Sequence, residues 1–490
     1  MRNLVDTVES RRLPITFFIL AGLSVLVGAM MGLKSPFGNK LIFYMIVIFN
    51  MMMITYLVLL KNMTWGVLIY LYALVFLNMY WRITIPGRLP DLDIPRMTFA
   101  FVWLIFLMEM ALGNRKLLPR TNIEVAMLGV LGALLYSMFF VGQAQIRLFL
   151  NGFAIPYAMF VLAKNVFNRR KNVDRLVYWF AIPLSVYFPL NHFFEHFKIR
   201  SLVFPRYILS PEIAGKAVHF GERTIGVFLQ PVATGMAMIS MFLLALYGLS
   251  KLKGMLPRVM SWVLVAITPA AVFLALARSV YTGFALSLLI VLLFSKKLKV
   301  YALIILMGAG LVVLGNWSTV KSEKRGAGGL ATTHTAANRL VLLDASFRMF
   351  ADHPFVGVGF HDFQEHSLPY VRQVRSTIFG VRESWQGKTI KQHNHFLNMM
   401  TEVGLMGLLP QLLMFYFLFR LLYRARRIHD GAVDHDFVVV VWAILAEYLT
   451  NAMFMEPRFY EFMNVLPFLL AGIVVGSYQR KQLGNSLSPI

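Results

Sequence analysis

Cysteine is absent from this chain, which excludes disulfides, thiolate metal sites and a cysteine nucleophile. Acid is scarce too: 23 Asp and Glu stand against 47 Lys and Arg. Paired carboxylates of the kind that hold a divalent ion are correspondingly few. The one outward-facing Asp-x-Asp, Asp91-Leu92-Asp93, lies between Arg88 and Arg96, where ion pairing is the simpler account. Short alternating segments are also missing, and with them the signature of a transmembrane barrel. Nor is there an internal repeat, a low-complexity tract or a soluble domain.

What the chain does have is apolar length. Of 490 residues, 58% are hydrophobic and 14% charged. The apolar residues fall into separate runs, each near the roughly 20 residues that cross hydrocarbon. Spans are expected at 14–33, 41–60, 64–81, 97–113, 122–142, 147–164, 176–190, 225–249, 259–277, 280–294, 299–317, 404–423, 437–455 and 459–477. The fold class that follows is an all-α polytopic membrane protein with about 12–14 transmembrane helices. No small-residue cleavage signal follows the first run, which therefore reads as a retained span. The net charge of +24 invites a nucleic-acid reading. Much of it lies in short loops, however, where orientation by the positive-inside rule is the simpler explanation.

Six basic clusters carry that orientation: Arg115/Lys116/Arg120, Arg169/Arg170/Lys171/Arg175, Lys251/Lys253/Arg258, Lys296/Lys297/Lys299, Arg424/Arg426/Arg427 and Arg480/Lys481. With these spans, all six fall on the side of the N-terminus, which charge bias makes cytoplasmic. The loop 191–224, the break around Arg278, the long loop 318–403 and the hairpin Glu456-Pro457-Arg458 then face outward. Four regions result: N-terminal spans (1–190), central spans carrying Arg223 and Arg278 (191–317), a large helical extracytoplasmic loop (318–403) and C-terminal spans (404–490). Within the loop, Asn338 is the candidate N-cap of a helix through Phe350, Asp352-His353-Pro354 stops it, and Gly357-Val358-Gly359 reads as a turn.

Chemistry concentrates in Gln392 to Gly407, where the polar loop runs back into an apolar segment. Two imidazoles, several carboxamides and the carboxylate of Glu402 precede Gly404 and Gly407, small residues that permit close helix approach. Polar groups at a bilayer boundary are costly and usually functional. His393 is the candidate general base, because imidazole titrates near neutrality and accepts a proton from a hydroxyl. A structural histidine at a helix start is the plainer alternative. His393, His395 and Glu402 as metal ligands form a weaker one, since the spacing matches no metal motif. Arg223, Arg278, Arg339 and Arg348 lie on the side where positive charge is disfavoured. Convergent guanidinium groups suit a diphosphate, with snorkelling or pairing to an acid such as Glu222 as the bland account.

These residues resemble a known family. His393-Asn394 followed by Gly404 and Gly407 is similar to the signature of the bacterial O-antigen ligase and O-antigen polymerase superfamily. Arg223 through Gly235, Ala277-Arg278-Ser279, and Arg339 through Gly359 resemble its other elements, in the family's order. Pro231 is followed by Val232 where the family commonly has asparagine, and nothing before about residue 200 is recognisable.

The resemblance implies a GT-C-like, inverting, metal-independent membrane glycosyltransferase without a cofactor. It implies a donor glycan on undecaprenyl pyrophosphate at the outer face of the inner membrane. It implies diphosphate binding by Arg223 and Arg278, less directly by Arg339. His393 rather than His395 would activate the acceptor, with Asn394, Glu402, Gly404 and Gly407 in support. The acceptor hydroxyl would belong to a glycan, to lipid A-core or to a protein. A transporter or flippase using the same arginines is the rival from another class; it calls for paired discontinuous helices, and the sequence shows no half-to-half symmetry.

Overall fold

The computed structural model describes residues 63–77, 93–142, 145–210, 223–315, 317, 333–378, 392–427 and 431–486. The expected spans 14–33 and 41–60 lie outside these residues, as does Glu222. The chain divides into two compact units, Met1–Arg82 with Leu92–Lys116, and Ile83–Asp91 with Leu117–Ile490. Among the described residues every regular element is helical.

In the first unit, α1 (Met63–Phe76) packs against α2 (Ile94–Ala111), with Tyr70 and Phe99 rings 5.6 Å apart. Asp93 caps α2 through the Arg96 amide at 2.9 Å and pairs with its guanidinium at 2.7 Å, the ion pair expected from the sequence.

The second unit contains α3 (Asn122–Val141), α4 (Ile146–Val166) and α5 (Ile182–His196), the last entered through a π turn at Val177–Ala181. Then come α6 (Pro231–Leu249), α7 (Met255–Leu274), α8 (Arg278–Phe294) and α9 (Lys299–Gly315). The long loop holds α10 (Thr333–Asp352) and α11 (Phe363–Ile378). Last are α12 (His395–Ala425), α13 (His435–Ala452) and α14 (Glu461–Ser486). Twelve expected spans thus have helices, and among the described residues seven helices are long and apolar enough to cross a membrane. Helices α6 and α14 have 94% of the residues in their most apolar 18-residue stretch buried, because their apolar residues surround the axis there and leave no wet face. Gly472 and Gly476 of α14 lie against the carbonyl oxygens of Phe160 and Lys164, a small-xxx-small contact that brings α14 and α4 together.

Five of the six basic clusters meet at one end of this unit. Asp434 caps α13 and pairs with Arg170 at 3.3 Å and with Lys251. Asp436 accepts from Ser295 Oγ and Lys296 N, and the His435 ring sits between the Arg426 and Phe294 carbonyls. Arg480 donates to the carbonyls of Lys164 and Phe167, while Lys164 Nζ reaches Glu124 and the Pro119 carbonyl. The opposite end carries the arginine segments, α10, α11 and the hairpin at 456–459.

Three expectations need correction. The span placed at 225–249 begins only at Pro231, since residues 226–229 form a turn. Helix α10 starts at Thr333, so Asn338 lies inside it and is no N-cap. The segment placed as a span at 404–423 starts at His395, and it is not straight: Gly404 has φ 65° and ψ −159°.

Candidate active site

Helix α12 is a hairpin. A straight helix would set His395 and Gln411 about 24 Å apart, yet Gln411 Nε2 lies 2.5 Å from His395 Nε2. Phe396 and Phe415 likewise meet at 6.1 Å between ring centroids. A short arm, residues 395–403, therefore folds back along the long arm that begins at Leu405. Gly404 supplies the left-handed corner that other residues adopt only with strain. Gly407 leaves room for Met399 and Val403 of the short arm. The close approach read from the two glycines is thus between two arms of one helix.

The corner is closed by the loop after α10. Breaking the helix frees carbonyls and amides that need partners in a buried setting. Val358 N donates to Thr401 O and Gly359 N to Glu402 O, each at 3.0 Å. Leu405 N donates to Pro354 O at 2.8 Å and Met406 N to Phe355 O at 3.0 Å. Gly357 and Gly359 have φ of 67° and 117° and pass too close for a side chain. A Cβ on Gly404 would lie 2.5 Å from the Phe355 carbonyl carbon. The turn expected at 357–359 is present, and it splices the loop into the hairpin.

Glu402 binds Arg458 in a fork, with contacts of 2.5 and 2.9 Å, and Arg458 reaches Glu456 at 2.9 Å. Both partners of the fork are buried, at 1% and 4% exposure. Burial alone works against the Arg458 charge, but the Glu402 and Glu456 carboxylates outweigh it and hold the guanidinium proton more tightly than usual. His395 is buried, stacked on Phe153 at 5.8 Å and tied to Gln411. Two of the three groups weighed as metal ligands are thus engaged elsewhere.

His393, by contrast, is exposed at the free end of the short arm. Asn394 caps that arm, accepting from Phe396 N at 2.9 Å and Leu397 N at 3.0 Å. Gln392 accepts from the His393 amide at 3.0 Å and donates to Ser346 Oγ of α10 at 2.7 Å. Arg339 lies seven residues before Ser346, two turns or about 10 Å along the same face of α10. Its guanidinium covers the Phe454 ring at 4.8 Å, just past α13.

Arg223 and Arg278 come together by another route. Glu195 of α5 collects the amides of Ile225 at 2.7 Å and Gly226 at 2.9 Å, and His192 meets Thr224 Oγ at 3.0 Å. These bonds fix the segment that follows Arg223. The next helix, α6, packs its first turn on that of α8: a Cβ on Gly235 would lie 2.6 Å from Val280. Arg223 is within electrostatic reach of the Tyr281 hydroxyl, one turn beyond Arg278. Both arginines are half-buried. Leu229 and Leu276, beside these two segments, have φ of 54° and 46°, sterically unfavourable for leucine. Helices α8 and α13 run antiparallel, with Gly283 facing Glu447 and Asn451, so Arg278 lies at the same end as Phe454 under Arg339.

Arg348 turns out to pair with Asp344 on its own helix at 3.1 Å, the bland reading. Sequence reasoning missed Glu195, His192 and Ser346, which hold backbone amides, a threonine hydroxyl and a carboxamide respectively, and Arg458, whose hairpin was noted without its partner. An acid so close to an apolar span was the available signal for Glu195.

Residues 260–411, under a third of the chain, match the model of the family described as O-antigen ligase. That segment takes in Arg278, Arg339 and the hairpin through Gln411, while Arg223 precedes it. No curated protein matches the chain.

Proposed function

With an O-antigen ligase segment at residues 260–411 as premise, we propose that the chain transfers a glycan from undecaprenyl pyrophosphate to a hydroxyl acceptor at the extracytoplasmic face of a bacterial inner membrane. The observation that carries this reading is the tether of the motif. A re-entrant arm presents His393, and Gln392 ties it to the helix that also bears Arg339.

In this mechanism His393 takes the proton of the acceptor hydroxyl, and the resulting oxygen attacks the anomeric carbon with inversion. The bond from that carbon to the diphosphate oxygen breaks, and the diphosphate leaves with the electron pair. Arg223 and Arg278, with Arg339, stabilise the growing negative charge by charge-assisted hydrogen bonds. Each preorganised donor that strengthens in the transition state contributes roughly 2–4 kcal/mol. Asn394 and Glu402 act at one remove, one capping the arm and the other holding its corner. Acceptors that are glycan chains make the protein a polymerase, lipid A-core makes it a ligase, and protein hydroxyls make it an O-oligosaccharyltransferase.

The test is turnover by the purified protein with lipid-linked glycan and each acceptor class. Coupled glycan and free lipid diphosphate should appear together. His393→Ala should lower the rate by about 100-fold or more without lowering the melting temperature, because the ring is exposed. Retained turnover in that variant removes the base assignment, and activity that vanishes with a chelator removes metal independence.

A further inference from the structure

The hairpin of α12 encloses polar atoms that no described residue satisfies. Asn398, one turn beyond Asn394 on the short arm, is 2% exposed, and neither its Oδ1 nor its Nδ2 has a partner. Across the crook, Gln411 is 1% exposed and engages His395 through Nε2, but its Oε1 is unpaired. His395 and Asn398 are three residues apart and so adjacent on the surface of the arm. With His395 against Gln411, two unpaired acceptors and one unpaired donor border the same crook.

Buried polar atoms are nearly always paired, by protein or by water. Two carboxamides left open on facing arms, beside the buried His395 ring and on the arm whose end presents His393, form a site for a guest with matching groups. A carboxamide offers both a donor and an acceptor, as does each hydroxyl of a sugar. We propose that Asn398 and Gln411 form a hydroxyl-reading subsite. It takes up glycan hydroxyls that flank the oxygen deprotonated by His393, and it holds water when no glycan is bound. The role of these two residues is positioning. The proposal rests on the transferase reading for its ligand, but the unpaired atoms that support it are independent of that reading.

Asn398→Leu separates the outcomes, because leucine keeps the volume and removes the unsatisfied amide. The full chain in lipid nanodiscs is assayed with undecaprenyl-diphosphate-linked glycan from the producing membranes. Glycan released from that lipid by mild acid serves as acceptor and as binding probe. The expected result is a melting temperature raised by roughly 1–3 °C, with the acceptor KM raised about tenfold or more and kcat changed less. Gln411→Leu should raise the KM in the same way, and Asn398→Asp, which retains an acceptor oxygen, should recover part of the loss.

Wild-type KM in both leucine variants overturns the subsite. A fall in melting temperature and kcat together at unchanged KM also overturns it, since that is the pattern of a structural residue. Calorimetric binding of the free glycan keeps the two readings apart. Binding by the wild type that both variants lose, without any coupled product, leaves the subsite and removes the transferase. Product formed equally by all three removes the subsite and leaves the transferase; neither binding nor product removes both.

Discussion

Glu402 and Arg458 carry opposite charges into a setting where neither would be tolerated alone. A carboxylate and a guanidinium that leave water lose several kcal/mol of hydration each, and only a well-formed fork with further hydrogen bonds offsets that loss. The fork here joins the short arm of α12 to the hairpin before α14, while Glu402 O receives the Gly359 amide. One residue therefore fastens two elements to the corner at the base of the arm that presents His393. Arg458→Ala leaves the carboxylate buried and unpaired, and the expected cost is about 3–5 kcal/mol, seen as a large drop in the melting temperature of the solubilised protein. Replacing both partners by methionine should restore most of it, because the desolvation of both charges is then removed. A single variant as stable as wild type contradicts the buried fork. Neither role was legible in the sequence. Glu402 could be seen near a histidine, which suggested support or a metal ligand, but its partner is 56 residues away in a turn that gives no local sign of burial.

At the level of elements, hydropathy located most helices because each must bury or present an apolar surface over a fixed length. The same reasoning failed at α12. An apolar count sees residues 404–423 as one span and the preceding stretch as loop, since His393, Asn394, His395 and Asn398 lower its hydropathy. The polar residues are instead accommodated by folding the arm back, where Phe153 and Gln411 receive His395. What the sequence did hold was the pair Gly404 and Gly407, whose close approach was legible although the partner was not. The four arginines were equally visible as misplaced charges. Their separation into Arg223 and Arg278 at one place, Arg339 on α10, and Arg348 in a local ion pair depends on long-range packing. The hairpin makes a sharp prediction, and the absence of native cysteine keeps its test clean. Cysteines placed at Phe396 and Phe415 should be joined by a short bifunctional maleimide in membranes, giving an intramolecular product resolved by mass spectrometry of peptides. A straight helix would hold those positions about 28 Å apart, and no product would form.

The whole molecule sorts its charge by end. In the second unit, Asp434, Asp436 and the backbone carbonyls at helix ends gather basic residues from five of the six clusters into one polar layer. Arg223, Arg278, Arg339 and Arg458 stand at the other end, with Arg339 over Phe454 and Arg458 in its fork with Glu402. If the positive-inside rule sets the orientation, the polar layer is cytoplasmic and the α12 hairpin opens outward, which is the arrangement a transferase acting on an outer-leaflet carrier requires. Single cysteines test this directly in spheroplasts treated with a membrane-impermeant maleimide. Phe355→Cys and Phe459→Cys replace side chains 71% and 42% exposed near the corner of the hairpin, and both should be labelled in intact cells. Lys253→Cys and Arg424→Cys, exposed at the basic end, should be labelled only after the membrane is broken. The reverse pattern would place His393 and the arginines on the cytoplasmic side. It would leave the catalytic chemistry intact on paper but deny it an outer-leaflet donor, so the orientation and the proposed reaction stand together on these four labels.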